Sequence, residues 1–119
     1  MLINLSNHPY SKWDEKQKAA AAKFGDTVDL PFPAIDTNGD EKYIKDLADE
    51  YLLKIQEMSK GKEATVHIMG EMTFTFALIK RLQACGITCM ASTSERIVDE
   101  SIPGHKDVVF RFERFRKYN

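Results

Sequence analysis

Hydroxyl, amide and imidazole groups collect just after the short apolar runs of this chain, where side chains can meet a ligand. Ser6-Asn7-His8 follows Leu2–Leu5 and precedes Pro9. An imidazole in such a loop can act as a general acid or base, which makes His8 the candidate catalytic residue; a turn residue before proline is its plainer reading. Gly70-Glu71-Met72-Thr73 follows the run Ala64–Met69. Gly70 lets backbone approach a ligand closely, and the helix start behind it offers N–H groups and the positive end of a dipole. Thr73 adds a hydroxyl, although a tight turn alone also favours glycine there. Ser92-Thr93-Ser94 follows Ile87–Ala91, with Glu95 and Arg96 next. Three hydroxyls beside an arginine can hold a phosphate or a base edge, or can simply close backbone hydrogen bonds at a sheet corner.

Other chemistries find less support. Neither G-x-G-x-x-G nor G-x-x-x-x-G-K-[ST] occurs, so a standard dinucleotide or P-loop site is not expected. Cys85 and Cys89 form a lone C-x3-C, and His8, His67 and His105 are scattered, so no metal site and no cofactor is expected. Both thiols read as buried and structural. His67, inside an apolar run, reads as a packed core or interface histidine. No Ser-His-Asp or Cys-His arrangement can be picked out from spacing alone.

The elements that position these segments follow from hydrophobic periodicity. Leu2–Leu5, Thr27–Leu30, Ala64–Met69 and Ile87–Ala91 read as strands. Ser11 reads as an N-cap, with Trp13, Gln17, Ala20, Ala21 and Phe24 on one helical face and Gly25 at its end. Pro31 and Pro33 stop the second strand. A long amphipathic helix over 40–58 carries Ile44, Leu47, Ala48, Tyr51, Leu52, Ile55 and Met58. A third helix over 72–84 is apolar on more than one side, which suggests a cover such as a second subunit. Glu95–Asp99 and 107–116 read as a β-hairpin turning at Ile102-Pro103-Gly104-His105. Phe110 and Phe112 share a face while Phe115 has the other parity, so a bulge or a change of partner is expected near Glu113-Arg114.

The order β-α-β-α-β-α-β plus a hairpin predicts an α/β fold: three-layer, Rossmann-like, a mainly parallel sheet with a C-terminal antiparallel hairpin on one edge. The expected core is Ile3, Leu5, Val28, Leu30, Val66, Ile68, Leu78, Leu82, Met90, Phe110 and Phe112. At 119 residues and 43% hydrophobic, the chain suits one globular domain over 1–119. No apolar run is long enough to span a membrane. The first residues lack a basic region typical of a signal peptide, and a cytoplasmic setting is expected. Net charge is −1, which argues against general DNA binding. Charge is uneven, however: residues 26–57 hold nine acids against three lysines, and residues 105–119 hold five basic residues against two acids. A solvated helix face and an aggregation-resistant edge strand explain this plainly; an anion, or the acidic helix of a second subunit, is the sharper explanation. Ligands of an open parallel sheet bind beyond the carboxyl ends of its strands, which places Ser6–His8, Gly70–Thr73, Ser92–Ser94 and Arg96 around one candidate site.

The opening Leu2-Ile3-Asn4-Leu5-Ser6-Asn7-His8-Pro9 is similar to the start of small CRISPR-associated accessory proteins. So is the strand-Gly70-helix unit ending at Gly86, with a Ser/Thr-rich strand end after it. Those proteins are single-domain relatives of the CARF (CRISPR-associated Rossmann fold) group. The resemblance implies a homodimer that binds a cyclic oligoadenylate second messenger in type III CRISPR defence, some members also cleaving the ring without metal. No effector domain such as a nuclease or a DNA-binding helix-turn-helix is expected in this sequence, so the resemblance implies a buffer, a ring nuclease or a subunit serving another effector. Two further classes stay open: a small-molecule or nucleotide-binding enzyme of flavodoxin-like or Rossmann-like fold, and a non-catalytic interaction subunit that docks through the third helix.

Overall fold

Four apolar or amide residues between Met1 and a polar loop make the first strand, β1 (Leu2–Leu5), and every one of them is buried. Such burial marks a central strand covered on both faces. In the computed structural model, which describes residues 1–119, the chain continues through α1 (Glu15–Ala22), β2 (Thr27–Asp29), α2 (Glu41–Met58), β3 (Thr65–Ile68), α3 (Met72–Ala84), β4 (Thr88–Asp99) and β5 (Asp107–Lys117). The five strands form one sheet in the order β2-β1-β3-β4-β5. Its first four strands run parallel, and β4 and β5 are antiparallel. The architecture is α/β with a mostly parallel sheet, compatible with a Rossmann-like fold.

Side-chain parity sorts the interior. Ile3, Leu5, Val66, Ile68 and Cys89 pack with Ala48, Tyr51 and Ile55 of α2 and with Phe74, Leu78, Ile79 and Leu82 of α3. Leu2 and Met90 have the opposite parity and pack with Trp13 and Ala21 at α1, edged by Tyr10, Phe24 and Phe115. The chain steps from β1 outward to β2 and then back across to β3 and β4, so right-handed crossovers require this division of helices.

Local chemistry accounts for most boundaries. Asp40 caps α2 by accepting the Tyr43 N–H at 2.9 Å. Gly86 closes α3 with φ +77°, a conformation that side-chain-bearing residues rarely adopt. The N-cap expected at Ser11 lies instead at Asp14, which accepts the Gln17 N–H at 2.8 Å; Tyr10–Lys12 forms a separate 3₁₀ turn ahead of it. Cys89 is buried, but Cys85 is exposed at the end of α3, contrary to the expectation for both thiols.

Two expected core residues are corrected. Val28 is exposed because β2 is an outer strand, and Phe110 is 67% exposed because β5 runs past the body of the sheet. Leu30 is only partly buried, at the margin of the larger cluster. The other eight expected core residues are buried.

Ser92-Thr93-Ser94 is not a loop: it lies inside β4, which runs unbroken to Asp99. β3 pairs only with Thr88–Met90, so beyond that point β4 leans on β5 alone. The serines therefore still reach the carboxyl edge of the parallel strands. The irregularity expected near Glu113-Arg114 is present: Thr93 faces Arg114 while Ser94 faces Phe112, leaving Glu113 without an opposite number. That extra residue brings Phe112 and Phe115 to the same face, their rings 5.0 Å apart.

Candidate functional site

β1 has β2 on one side and β3 on the other, and the chain's direction across the sheet reverses there. The crevice beyond the carboxyl ends of β1 and β3 is the place where such sheets take ligands. A cavity of about 600 Å³ opens there, lined by Ser6, Asn7 and His8 after β1, by Met69 and Gly70 after β3, and by Ser92 and Ser94 on β4. Lys12, Asp14 and Gln17 close one side and Phe110 and Phe112 another, with His67 also in the wall. The volume falls within the ~300–1,000 Å³ range of small-molecule sites.

A hydrogen-bonded chain runs across three strands into this cavity. Asn4, on β1, donates from Nδ2 to an Asp29 carboxylate oxygen and to the His8 carbonyl, both at 2.9 Å. Its Oδ1 accepts from the Ser6 hydroxyl at 2.8 Å and lies 2.9 Å from His67 Nδ1 on β3. His67 Nε2 lies 2.7 Å from Ser92 Oγ on β4, and Gln17 of α1 donates to that same oxygen at 3.1 Å. Asn4 and His67 are almost wholly buried. The His67 ring is held edge-on between Trp13 and Phe115, at 5.3 and 5.5 Å between centroids. Trp13 Nε1 donates to the His8 carbonyl at 2.9 Å, which ties the loop after β1 to the same assembly.

Ser92, His67 and Asn4 thus have the connectivity of a nucleophilic triad, serine to imidazole to side-chain oxygen. Low basicity makes His67 a weak general base in that arrangement. Burial, with a smaller contribution from nearby His8, pushes the His67 imidazole down to about 4. Relative to a free histidine, charging it here costs about 3 kcal/mol more. No carboxylate touches Nδ1 to offset that cost. At neutral pH the imidazole is an uncharged link that orients its neighbours rather than a ready proton acceptor.

The expected site residues divide. Ser6, Asn7, His8, Gly70, Ser92 and Ser94 line the one cavity. Thr93 faces away: its hydroxyl donates to the Arg114 carbonyl at 3.1 Å and accepts the Arg114 N–H at 3.2 Å, closing backbone hydrogen bonds at the bulge. Arg96 is not in the wall; it sits farther out on β4, opposite Phe110. Lys12 is the cation that the wall does contain.

The start of α3 is also changed from expectation. The Glu71 carboxylate accepts the N–H groups of Thr73 and Phe74 and the Thr73 hydroxyl. These bonds, the hydroxyl's foremost, hold Glu71 below the usual carboxylate range. The chain's own carboxylate thus occupies the place proposed for an anion, and Glu71 and Thr73 serve as a helix cap. Met72 belongs to a neighbouring cavity of about 380 Å³, with Phe76 and Ile79 of α3 and Tyr118. Gly70 has no left-handed φ. A side chain there would collide with the Phe32 ring, so Gly70 makes room for that ring.

His67 is buried, as expected of a packed histidine, and Gln17 lies on the packed face of α1; sequence reading did not join either of them, or Asn4, to the site. Asn4 and His67 stand at strand positions that otherwise read as apolar, and a polar residue there has to find a buried partner. That was the available signal.

No curated protein and no solved structure matches the chain. Residues 1–116 match the model described as the Uncharacterized protein MJ1673 family, and the chain belongs to that family.

Proposed function

We propose that the chain is a nucleotide-binding module whose ligand is a cyclic oligoadenylate second messenger, held by a homodimer in the cytoplasm as part of type III CRISPR defence. The observation that carries the reading is the convergence of Ser6–His8, Gly70, Ser92 and Ser94 on one polar cavity at the carboxyl edge of the sheet. A ring of repeated nucleotides has internal symmetry, and a two-fold dimer presents each of these segments twice around one axis. Lys12 supplies charge for phosphate, while Phe110 offers an exposed ring on which a base can stack. We read the two packed faces of the sheet as a three-layer Rossmann-like unit, the setting in which such a crevice takes nucleotides.

Ring cleavage, if it accompanies binding, needs only a ribose 2′-OH held in line with its phosphate. His8, exposed at the cavity wall, is then the group to supply or take a proton. Thermal shift against cyclic oligoadenylates and common mononucleotides tests the reading. A ring at 100 times its Kd raises stability by about 2.7 kcal/mol. His8→Ala should then keep binding and lose cleavage. Absence of any shift with the rings, or a flavin copurifying with the protein, would overturn the proposal.

A further inference from the structure

The hydrogen bonds around Asn4 have a direction. Its Nδ2 faces two groups that only accept, the Asp29 carboxylate and the His8 carbonyl, so the amide orientation is fixed. Its Oδ1 must then accept, and His67 Nδ1 must carry the proton that it accepts. In the neutral ring Nε2 is left as an acceptor. The Ser92 hydroxyl, 2.7 Å away, must therefore give its proton to Nε2. One Ser92 lone pair takes the Gln17 amide proton at 3.1 Å. The Ser92 backbone N–H is spent on the Met69 sulfur at 3.3 Å. What remains of Ser92 for the cavity is one lone pair and no proton.

We infer that Ser92 is a specificity-determining residue that meets a cavity ligand only as a hydrogen-bond acceptor, and so selects a ligand group bearing N–H or O–H. A phosphate oxygen, itself an acceptor, finds no bond at this point of the wall. Among nucleobase substituents the exocyclic amine of adenine fits, and a base with only ring nitrogens on that edge does not. The choice of adenine rests on the nucleotide reading above; the polarity of Ser92 rests on the hydrogen bonds alone.

Two measurements on the full chain test this. Long-range ¹H–¹⁵N NMR of the wild type reads the His67 tautomer directly, and a protonated Nδ1 with bare Nε2 is expected; the opposite tautomer overturns the inference without any variant being made. Titration with 5′-AMP and with purine riboside 5′-monophosphate, which lacks the amine, should give about tenfold weaker binding for the latter. Ser92→Ala should remove that preference while Ser94→Ala keeps it. Equal affinity of the wild type for the two probes, or binding of neither, overturns the assignment of the adenine amine to Ser92, as the opposite tautomer overturns its acceptor polarity. If 5′-AMP keeps its preference but cyclic tetra-adenylate does not bind, the second-messenger reading fails and the assignment of Ser92 stands.

Discussion

His67 sets up the sharpest consequence at the level of single residues. Its folded-state value of about 4 lies below the ~6.5 of an unfolded chain. The native state therefore binds fewer protons than the unfolded state between those values, and stability rises with pH across that window. The contribution is complete above about pH 6.5 and is lost as pH falls towards 4. Between pH 7 and pH 5 the linkage amounts to about 2 kcal/mol. Urea unfolding of the wild type should lose that much more stability over this interval than His67→Gln, which has no imidazole to charge. Equal losses would mean that His67 is not buried in its neutral form. Gly70 gives a second test at this scale. Gly70→Ala should destabilise by about 1–3 kcal/mol through overpacking against Phe32. In the double variant with Phe32→Ala, most of the Gly70→Ala cost should vanish. A full cost in both backgrounds would show that the constraint at Gly70 is not the Phe32 ring.

At the scale of elements, the bulge in β5 decides which side chains reach the site. Glu113 is the residue without an opposite number, and it allows Phe112 and Phe115 to share a face despite their spacing of three. Deleting Glu113 shifts one arm of β5 by one residue and turns its side chains to the other side of the sheet. Either Phe112 or Phe115 then leaves the apolar face, a loss of about 3–5 kcal/mol on the scale of an aromatic core truncation. A melting temperature unchanged by the deletion would show that the hairpin can re-register freely. This irregularity was legible because two phenylalanines broke strict alternation. Helix α3 was legible at both ends, because its apolar period is strong and Gly86 marks its close. The continuity of β4 was not. Three adjacent hydroxyl residues resemble a turn, yet here Ser92 is paid for by His67 and Gln17, and Thr93 by the Arg114 backbone. Those partners lie 21 to 75 residues away in sequence, beyond the reach of local pattern. The loops that meet at the site were legible from strand order; the buried asparagine and histidine beneath them depend on pairing three strands in register.

Taken whole, the molecule is extended where β4 and β5 leave the sheet. Its radius of gyration is 16.2 Å and its longest dimension 51 Å, whereas a compact chain of this length has a radius near 13–14 Å. Beyond the serines the hairpin is a two-stranded ribbon, and such a ribbon alone is marginal in water. Apolar side chains lie on both of its faces, with Phe110 opposite Arg96 and Val109 opposite Ile97. Val108, Val109 and Phe110 are exposed. Lys106, Arg111, Arg114, Arg116 and Lys117 form no salt bridge within the chain, while α2 presents an acidic surface only partly matched by its own lysines. In the homodimer proposed above, a second copy would supply both partners, apolar cover for the ribbon and carboxylates for its cations. Light scattering at tens of micromolar should therefore report twice 13.6 kDa, with association weakened by salt as the unpaired charges are screened. Val109→Asp should return the mass to that of one chain, because it places a charge in the apolar patch of the projecting arm, away from the cavity wall. Dissociation by Phe76→Asp instead would move the contact to the exposed side of α3, where Met72 and Phe76 are 84% and 66% exposed. A single-chain mass for the wild type at these concentrations would remove the dimer and, with it, the two-fold arrangement of the cavity.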